Sequence, residues 1–128
     1  MKFPVKTTVV ILIVAVVALA VSRLPGGFST DLARVGGGTV TVVMVHDHNF
    51  VSSVELMEAL NRVRDDFEPE MQFLVADVNH PNGAAFKRER NLEVVSLYVF
   101  DPQGERVGER LVHDDLESLR AFLENHRP

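Results

Sequence analysis

The residues most able to do chemistry lie together in the segment VHDHNFVSS, Val45–Ser53. It holds two histidines around an aspartate, followed closely by two serines. Serine, histidine and aspartate are the residue types of a hydrolytic triad, but a triad is defined by geometry and not by closeness in sequence. We therefore expect no catalytic residues here. Ser52 or Ser53 is instead predicted to be the N-cap of the helix that follows, because a serine hydroxyl there satisfies a free backbone N–H group.

The same segment could bind a metal ion. His46 and His48 are two positions apart at the end of a predicted strand, so both imidazoles point to the same side of it. Two imidazoles suit zinc or copper, with Asp47 or Asn49 adjusting locally. From these residues alone, the metal site and the ordinary loop both remain open.

Composition excludes several classes of function. The chain has no cysteine, so its own residues can form no disulfide, no thiol nucleophile and no thiolate metal site. Lysine and arginine number 13 against 18 aspartates and glutamates, giving a net charge of −5. The sequence has no basic stripe and no aromatic platform, which argues against nucleic acid as a partner.

Residues 1–24 form a separate hydrophobic segment with basic residues at its start and an uncharged run, Thr7–Ser22. Counted from Phe3, it makes about 30 Å of helix, enough to span a bilayer. The segment predicts a single-pass transmembrane helix with its N-terminus inside and the remaining chain extracytoplasmic. The alternative is a signal peptide cleaved after Ala20, which would leave a periplasmic or secreted chain.

The rest of the chain divides into a linker with a short helix, residues 25–38, and a domain, residues 39–128. Apolar runs rich in β-branched residues predict strands covered on both faces, and apolar residues at spacings of three and four predict helices between them. The predicted strands are 39–45, 73–78, 94–100 and 105–112. The helix after the first strand should bury Val54, Met57, Leu60, Val63 and Phe67.

The fourth strand is polar and charged, as an edge strand should be. The element order is helix, β, α, β, α, β, β, α. Two βα units followed by a hairpin and a last helix predict an α/β fold, with a mixed four-stranded sheet and helices on both faces.

Five segments match one known fold in order and spacing. They are FSTDLARVGGGTVTVVMV, VELMEALNRVRDDF, EMQFLVADVN, VVSLYVFDPQGERV and LESLRAFLENH. Over about residues 28–126 these segments resemble the thioredoxin-like superfamily. The resemblance implies the first helix and central strand, the second helix, the next strand, the late hairpin and the last helix of that fold.

The resemblance also implies where the family's redox site would lie. Its Cys-x-x-Cys motif, the residue before that motif, and its cis-proline each match a position of this chain. Those positions hold Asn49, Phe50, Val51, Ser52, Ser53, and Val95 or Ser96. Neither cysteine nor proline is present, so the resemblance implies a member without thiol redox activity. Without proline, we expect a trans peptide bond at Val95 or Ser96.

We therefore predict a membrane-tethered, redox-inactive thioredoxin-like domain that is not an enzyme, takes no cofactor and binds a protein partner. The predicted binding surface is His46, His48, Asn49, Phe50, Val51, Ser52, Ser53, Val95 and Ser96. An exposed apolar surface with a polar rim suits protein contact, whereas a Phe50 tucked into the core would not. The alternative is a zinc or copper site of His46, His48 and His113, because the loop before the last helix lies beside this surface in the family.

Overall fold

The computed structural model describes residues 4–23, 27–111 and 115–128. Within these residues the chain forms four α-helices, four strands and two short 3₁₀ turns. The short helix predicted in the linker is a 3₁₀ turn, Leu32–Arg34, and the strands and helices after it follow in the predicted order. The helices are α1 Val5–Arg23, α2 Val51–Val63, α3 Pro81–Arg90 and α4 Leu116–Asn125. The strands are β1 Val40–His46, β2 Met71–Asp77, β3 Ser96–Phe100 and β4 Arg106–Leu111.

The strands form one sheet in the order β2-β1-β3-β4. β1 pairs in parallel with β2 and antiparallel with β3, and β4 pairs antiparallel with β3. The mixed four-stranded sheet and the place of the charged strand at its edge are thus confirmed. The parallel register sets His46 opposite Asp77, so the last residues of β1 and β2 meet at one end of the sheet.

The core lies on both faces of the sheet. On one face Val42 and Met44 of β1 pack with residues of α2 and α4 such as Leu60 and Leu123. On the other face the intervening β1 residues, Val43 and Val45, pack with Phe86 of α3. Alternate residues of a strand point to opposite faces, and both faces of β1 are covered. This explains why β1 is apolar almost throughout instead of alternating with polar residues.

The buried face of α2 differs from the prediction. Leu60, Val63 and Phe67 are buried as expected, but Val54 is 39% exposed and Met57 is only partly buried. The buried residues of the helix are Ser53, Leu56, Leu60 and Val63. The stripe is therefore rotated from the predicted one, and a serine occupies its first position.

The segment between α1 and β1 contacts the domain from residue 28 onwards. Phe28 packs against the core on the α2 face, and the Arg64 guanidinium lies 4.4 Å from the centre of its ring. The carbonyl oxygen of Ser29 accepts a hydrogen bond of 2.9 Å from the N–H of Val75 in β2. Part of the predicted linker is thus held against the sheet.

Helix α1 has 19 residues, and the described side chains from Val5 to Ala18 are exposed. Among the residues that the structure describes, no helix is both long and apolar enough to cross a bilayer. This finding does not support the prediction that residues 1–24 are a transmembrane anchor.

Candidate functional site

The candidate site lies where β1 ends and α2 begins. The N–H of Phe50 donates to the carbonyl oxygen of Asp47 over 3.1 Å, which closes a tight turn between the two elements. Phe50 is the N-cap residue of α2, in an extended conformation, and its side chain makes no capping hydrogen bond. The helix therefore begins at Val51, earlier than predicted, and Ser52 and Ser53 lie within its first turn and do not cap it.

Ser53 instead ties α2 to the end of β1. Its Oγ lies 2.7 Å from Nδ1 of His46, with which it shares a hydrogen bond, and it accepts a second bond of 3.0 Å from the N–H of Asp47. The Ser53 side chain is fully buried and His46 is 8% exposed. We call this group, His46, Asp47 N–H and Ser53, the serine clip. It fixes the first turn of α2 against the strand.

The serine clip has the separation of a nucleophile and its base, but it cannot work as one. A serine hydroxyl 2.7 Å from an imidazole is within reach for proton transfer. A nucleophile must also meet its substrate, and Ser53 exposes no surface. Asp47 does not complete a triad, because it contacts Ser53 through its backbone N–H and not through its carboxylate. The arrangement is a buried polar contact that positions the helix.

The carboxylates at this end of the sheet are held by amide groups. Oδ1 of Asp47 accepts from the N–H and the Nδ2 of Asn49, both at 3.0 Å, and from Nδ2 of Asn79 at 3.3 Å. The hydrogen bond from the backbone N–H of Asn49 has the largest effect on the pKa of Asp47, and the pKa lies below its ordinary value. Asp47 is therefore a carboxylate at neutral pH, with a lower proton affinity than a free aspartate.

Asp77, across the sheet from His46, is held in a similar way. Burial raises its pKa and is the largest single influence, but the backbone and side-chain hydrogen bonds from Asn79 and the nearby His80 and His46 outweigh it. The net result is a pKa of Asp77 below the ordinary value. Nε2 of His80 lies 3.5 Å from Oδ2 of Asp77. His80, for which the sequence predicts no role, therefore lies at this end of the sheet.

An apolar surface lies beside the serine clip, at the N-terminus of α2. Phe50 is 48% exposed, Val51 74% and Val54 39%. We call these three residues the Phe50 surface. His48 and Asn49, in the turn before it, are exposed as well. Phe50 is therefore exposed and does not tuck into the core. Of the predicted binding-surface residues, His46, Ser53 and Ser96 are buried and so cannot form part of an exposed surface.

Val95 and Ser96, the two positions matched to the family's proline, differ from each other. Val95 has a φ of 58°, in the left-handed region that a β-branched residue rarely adopts. Its N–H donates to the carbonyl oxygen of Val45 over 2.8 Å, which holds the loop against β1. Ser96 is buried at the start of β3. Among the described residues the cis peptide bond lies at Glu68-Pro69, so the bonds before Val95 and Ser96 are trans, as expected.

The predicted metal ligands are not all within the described residues. His46 is buried and bonded to Ser53, while His48 is exposed in the turn. His113 lies outside the described residues. In residues 4–23, 27–111 and 115–128, no three histidine, aspartate or glutamate side chains are grouped so that they could hold a metal ion. The three-histidine site stays a prediction.

Sequence comparison identifies no family, whereas structural comparison gives a consistent result. No protein-family model matches the chain, and no curated protein sequence matches it. Thioredoxin O2 from Arabidopsis thaliana, in its oxidised state, is 14% identical, with 76% of this chain and 84% of that chain covered and a TM-score of 0.64. A mutant thioredoxin from Halobacterium salinarum is 15% identical, with coverages of 80% and 90% and a TM-score of 0.64.

A protein called Trxlp from Edwardsiella tarda is similar over 76% of this chain and 96% of its own, at 15% identity and a TM-score of 0.60. Identities this low carry information about the fold alone. The lack of cysteine in this chain is consistent with a lack of thiol redox activity. From the sheet order, the helices on both faces and these likenesses, we conclude that the chain has a thioredoxin-like fold.

Proposed function

We propose that this thioredoxin-like domain is a protein-interaction or assembly module, and that the Phe50 surface is where its partner binds. One observation carries the proposal. Outside α1, the exposed large hydrophobic side chains of the described residues are Phe50, Val51, Val54 and Val107. Three of these four stand together at the N-terminus of α2, so exposed apolar area is concentrated at one place. Such clustering is typical of a surface that contacts another protein.

The setting of this surface also suits binding. The serine clip holds the first turn of α2 against β1 through two hydrogen bonds, so Phe50 and Val51 project from a fixed helix end. A rigid apolar anchor loses little conformational entropy when a partner covers it. The polar turn with His48 and Asn49 supplies a border of hydrogen-bonding groups, as is common at protein interfaces.

The proposed binding function involves no thiol chemistry. The chain has no cysteine, and the serine that takes the second cysteine position in the resemblance is fully buried. A hydroxyl at that depth can neither form a disulfide nor reach a substrate. Binding is therefore the role that the exposed residues of this site support best.

Copurification from solubilised membranes tests the proposal. Wild type and Phe50→Asp are compared with Val107→Asp, a matched control that places the same charge at an exposed valine of the edge strand β4. We expect Phe50→Asp to lose at least one specific partner that both wild type and Val107→Asp retain. Identical partner sets for all three proteins would contradict a role for the Phe50 surface.

We also propose that α1 tethers the domain to a membrane, with the domain on the extracytoplasmic side. The uncharged run Thr7–Ser22 and the exposed apolar side chains of α1 support this proposal. Fractionation followed by an alkaline carbonate wash is the test, with protease protection to report the side. Recovery of the full chain in the soluble fraction would contradict the tether, and a mature mass beginning after Ala20 would favour a cleaved signal peptide.

A further inference from the structure

A cleft opens beside the Phe50 surface, on the α3 side of the sheet. Its cavity has a volume of about 590 Å³, within the range typical of small ligand sites. Apolar side chains line it, among them Val78, Leu92 and Val94. Leu92 belongs to the core cluster on that face, and Val78 and Val94 pack against that cluster. The apolar part of the lining is thus continuous with the core.

The cleft has two basic side chains without an ion-pair partner among the described residues. Lys87 and Arg88, in the last turn of α3, both line it. Neither forms an ion pair with any residue in the described parts of the chain. The C-terminal end of a helix favours cations, but it offers no carboxylate to pair with them. The one carboxylate of the lining, Asp47, directs Oδ1 to the amides of Asn49 and Asn79.

The cleft is continuous with the proposed binding surface. Asp47, which lines the cleft, accepts the hydrogen bond that closes the turn to Phe50. Val94, which also lines the cleft, directly precedes Val95, whose N–H is bonded to the carbonyl oxygen of Val45 near the end of β1. The Asp47 turn therefore leads from the cleft to the Phe50 surface, and one extended segment could contact both.

We infer that the partner presents an extended segment with an acidic side chain next to a large apolar one. The apolar side chain covers the Phe50 surface, and the acidic side chain enters the cleft and pairs with Lys87 and Arg88. This inference rests on the proposed function and specifies the chemistry of its partner. An apolar contact alone would let the bound segment shift along the surface. A charge pair between its acidic side chain and the cleft would fix the alignment of the segment.

A display library of random peptides, panned against the full chain in mild detergent, tests the inference. The variants are Arg88→Glu, Phe50→Asp and a control, Arg62→Glu, which reverses the charge of another exposed arginine near a helix C-terminus. We expect wild type and Arg62→Glu to select peptides with aspartate or glutamate beside an apolar residue. Against such a peptide, Arg88→Glu should bind about three- to tenfold more weakly, as reversal of an exposed charge contact predicts. Thermal unfolding of each variant shows whether it is folded.

The outcomes separate the two claims. If selection depends on Phe50 but Arg88→Glu selects the same acidic peptides with unchanged affinity, the acidic segment is refuted and the Phe50 surface stands. Selection by wild type of peptides enriched in lysine or arginine would also refute the acidic segment. If wild type selects no more peptides than Phe50→Asp, both the inference and the proposed binding surface fail.

Discussion

Replacing Ser53 by alanine removes the centre of the serine clip. The Ser53 hydroxyl makes two hydrogen bonds, with His46 Nδ1 and from the N–H of Asp47. A buried polar group left without a partner costs about 1 to 3 kcal/mol. His46 is 8% exposed and should bear a cost near the middle of that range. The N–H of Asp47 is nearer to solvent and should cost less.

Alanine also has a better helix propensity than serine, by about 0.5 kcal/mol. The sum is a loss of about 2 kcal/mol in the free energy of unfolding. For a domain near 100 residues this lowers the melting temperature by about 10 °C. Tyrosine fluorescence can follow the transition, because Tyr98 is the one tyrosine of the chain and is 3% exposed in the core.

Ser52→Ala is the matched control, one position away in the same helix turn. Ser52 is partly buried and its hydroxyl makes no hydrogen bond with the described residues, so we expect a change within about 0.5 kcal/mol. A double-mutant cycle with His46→Ala should give a coupling above about 1 kcal/mol for Ser53 and none for Ser52. Equal effects of the two serine substitutions, or a larger loss for Ser52→Ala, would refute the serine clip and favour a conventional N-cap.

Two further predictions concern the same end of the sheet. Gly83→Ala should destabilise the domain by about 2 kcal/mol despite the better helix propensity of alanine, because the new methyl group would overlap the backbone of Asp77. Chemical unfolding measures this loss. The control Gly27→Ala should be neutral, because its methyl group would have no neighbour within 4 Å. Asp47 has a folded-state pKa below 3.8, so its stabilising effect is present above that pH and is lost as the pH falls through the lower folded value. Wild type should therefore lose more stability on acidification than Asp47→Asn, and parallel pH profiles would contradict this assignment.

Much of the fold could be predicted because each strand is marked by its composition. β1 is apolar at nearly every position since both faces are covered, and its predicted range, 39–45, differs by one residue from Val40–His46. The edge strand was recognisable from its charges. Its predicted range, 105–112, contains the observed strand Arg106–Leu111, but a period-two pattern does not predict the irregularity opposite Val99 and Phe100.

The orientation of α2 could not be predicted from apolar spacing. Two sets of apolar residues fit helical spacing, one that begins at Val54 and one that includes Leu56 and Leu60. The structure selects the second because Ser53 is buried by its bond to His46. A hydrophobicity pattern treats serine as a surface residue. It therefore cannot detect a serine that is buried by a hydrogen bond to a residue seven positions away.

The sequence could not predict how the residues of the candidate site are arranged. The sequence predicted a binding surface around Phe50, and its exposure agrees with that. It did not predict that His46 and Ser53 would pair in the interior, or that Lys87 and Arg88 would share a cleft with Asp47. The first grouping depends on how the turn sets α2 against β1, and the second on how α3 returns to the end of β1.

The backbone at Val95 determines what it would take to introduce thiol redox chemistry into this domain. Proline holds φ near −65° and has no N–H. At Val95 the chain has a φ of 58° and its N–H is bonded to Val45, so proline at this position would require a different loop conformation. A cysteine in place of Ser53 would also take the place of the hydroxyl in the serine clip. Cysteines at Phe50 and Ser53 would therefore not by themselves create a thiol redox site in this chain, because the loop at Val95 would also have to change.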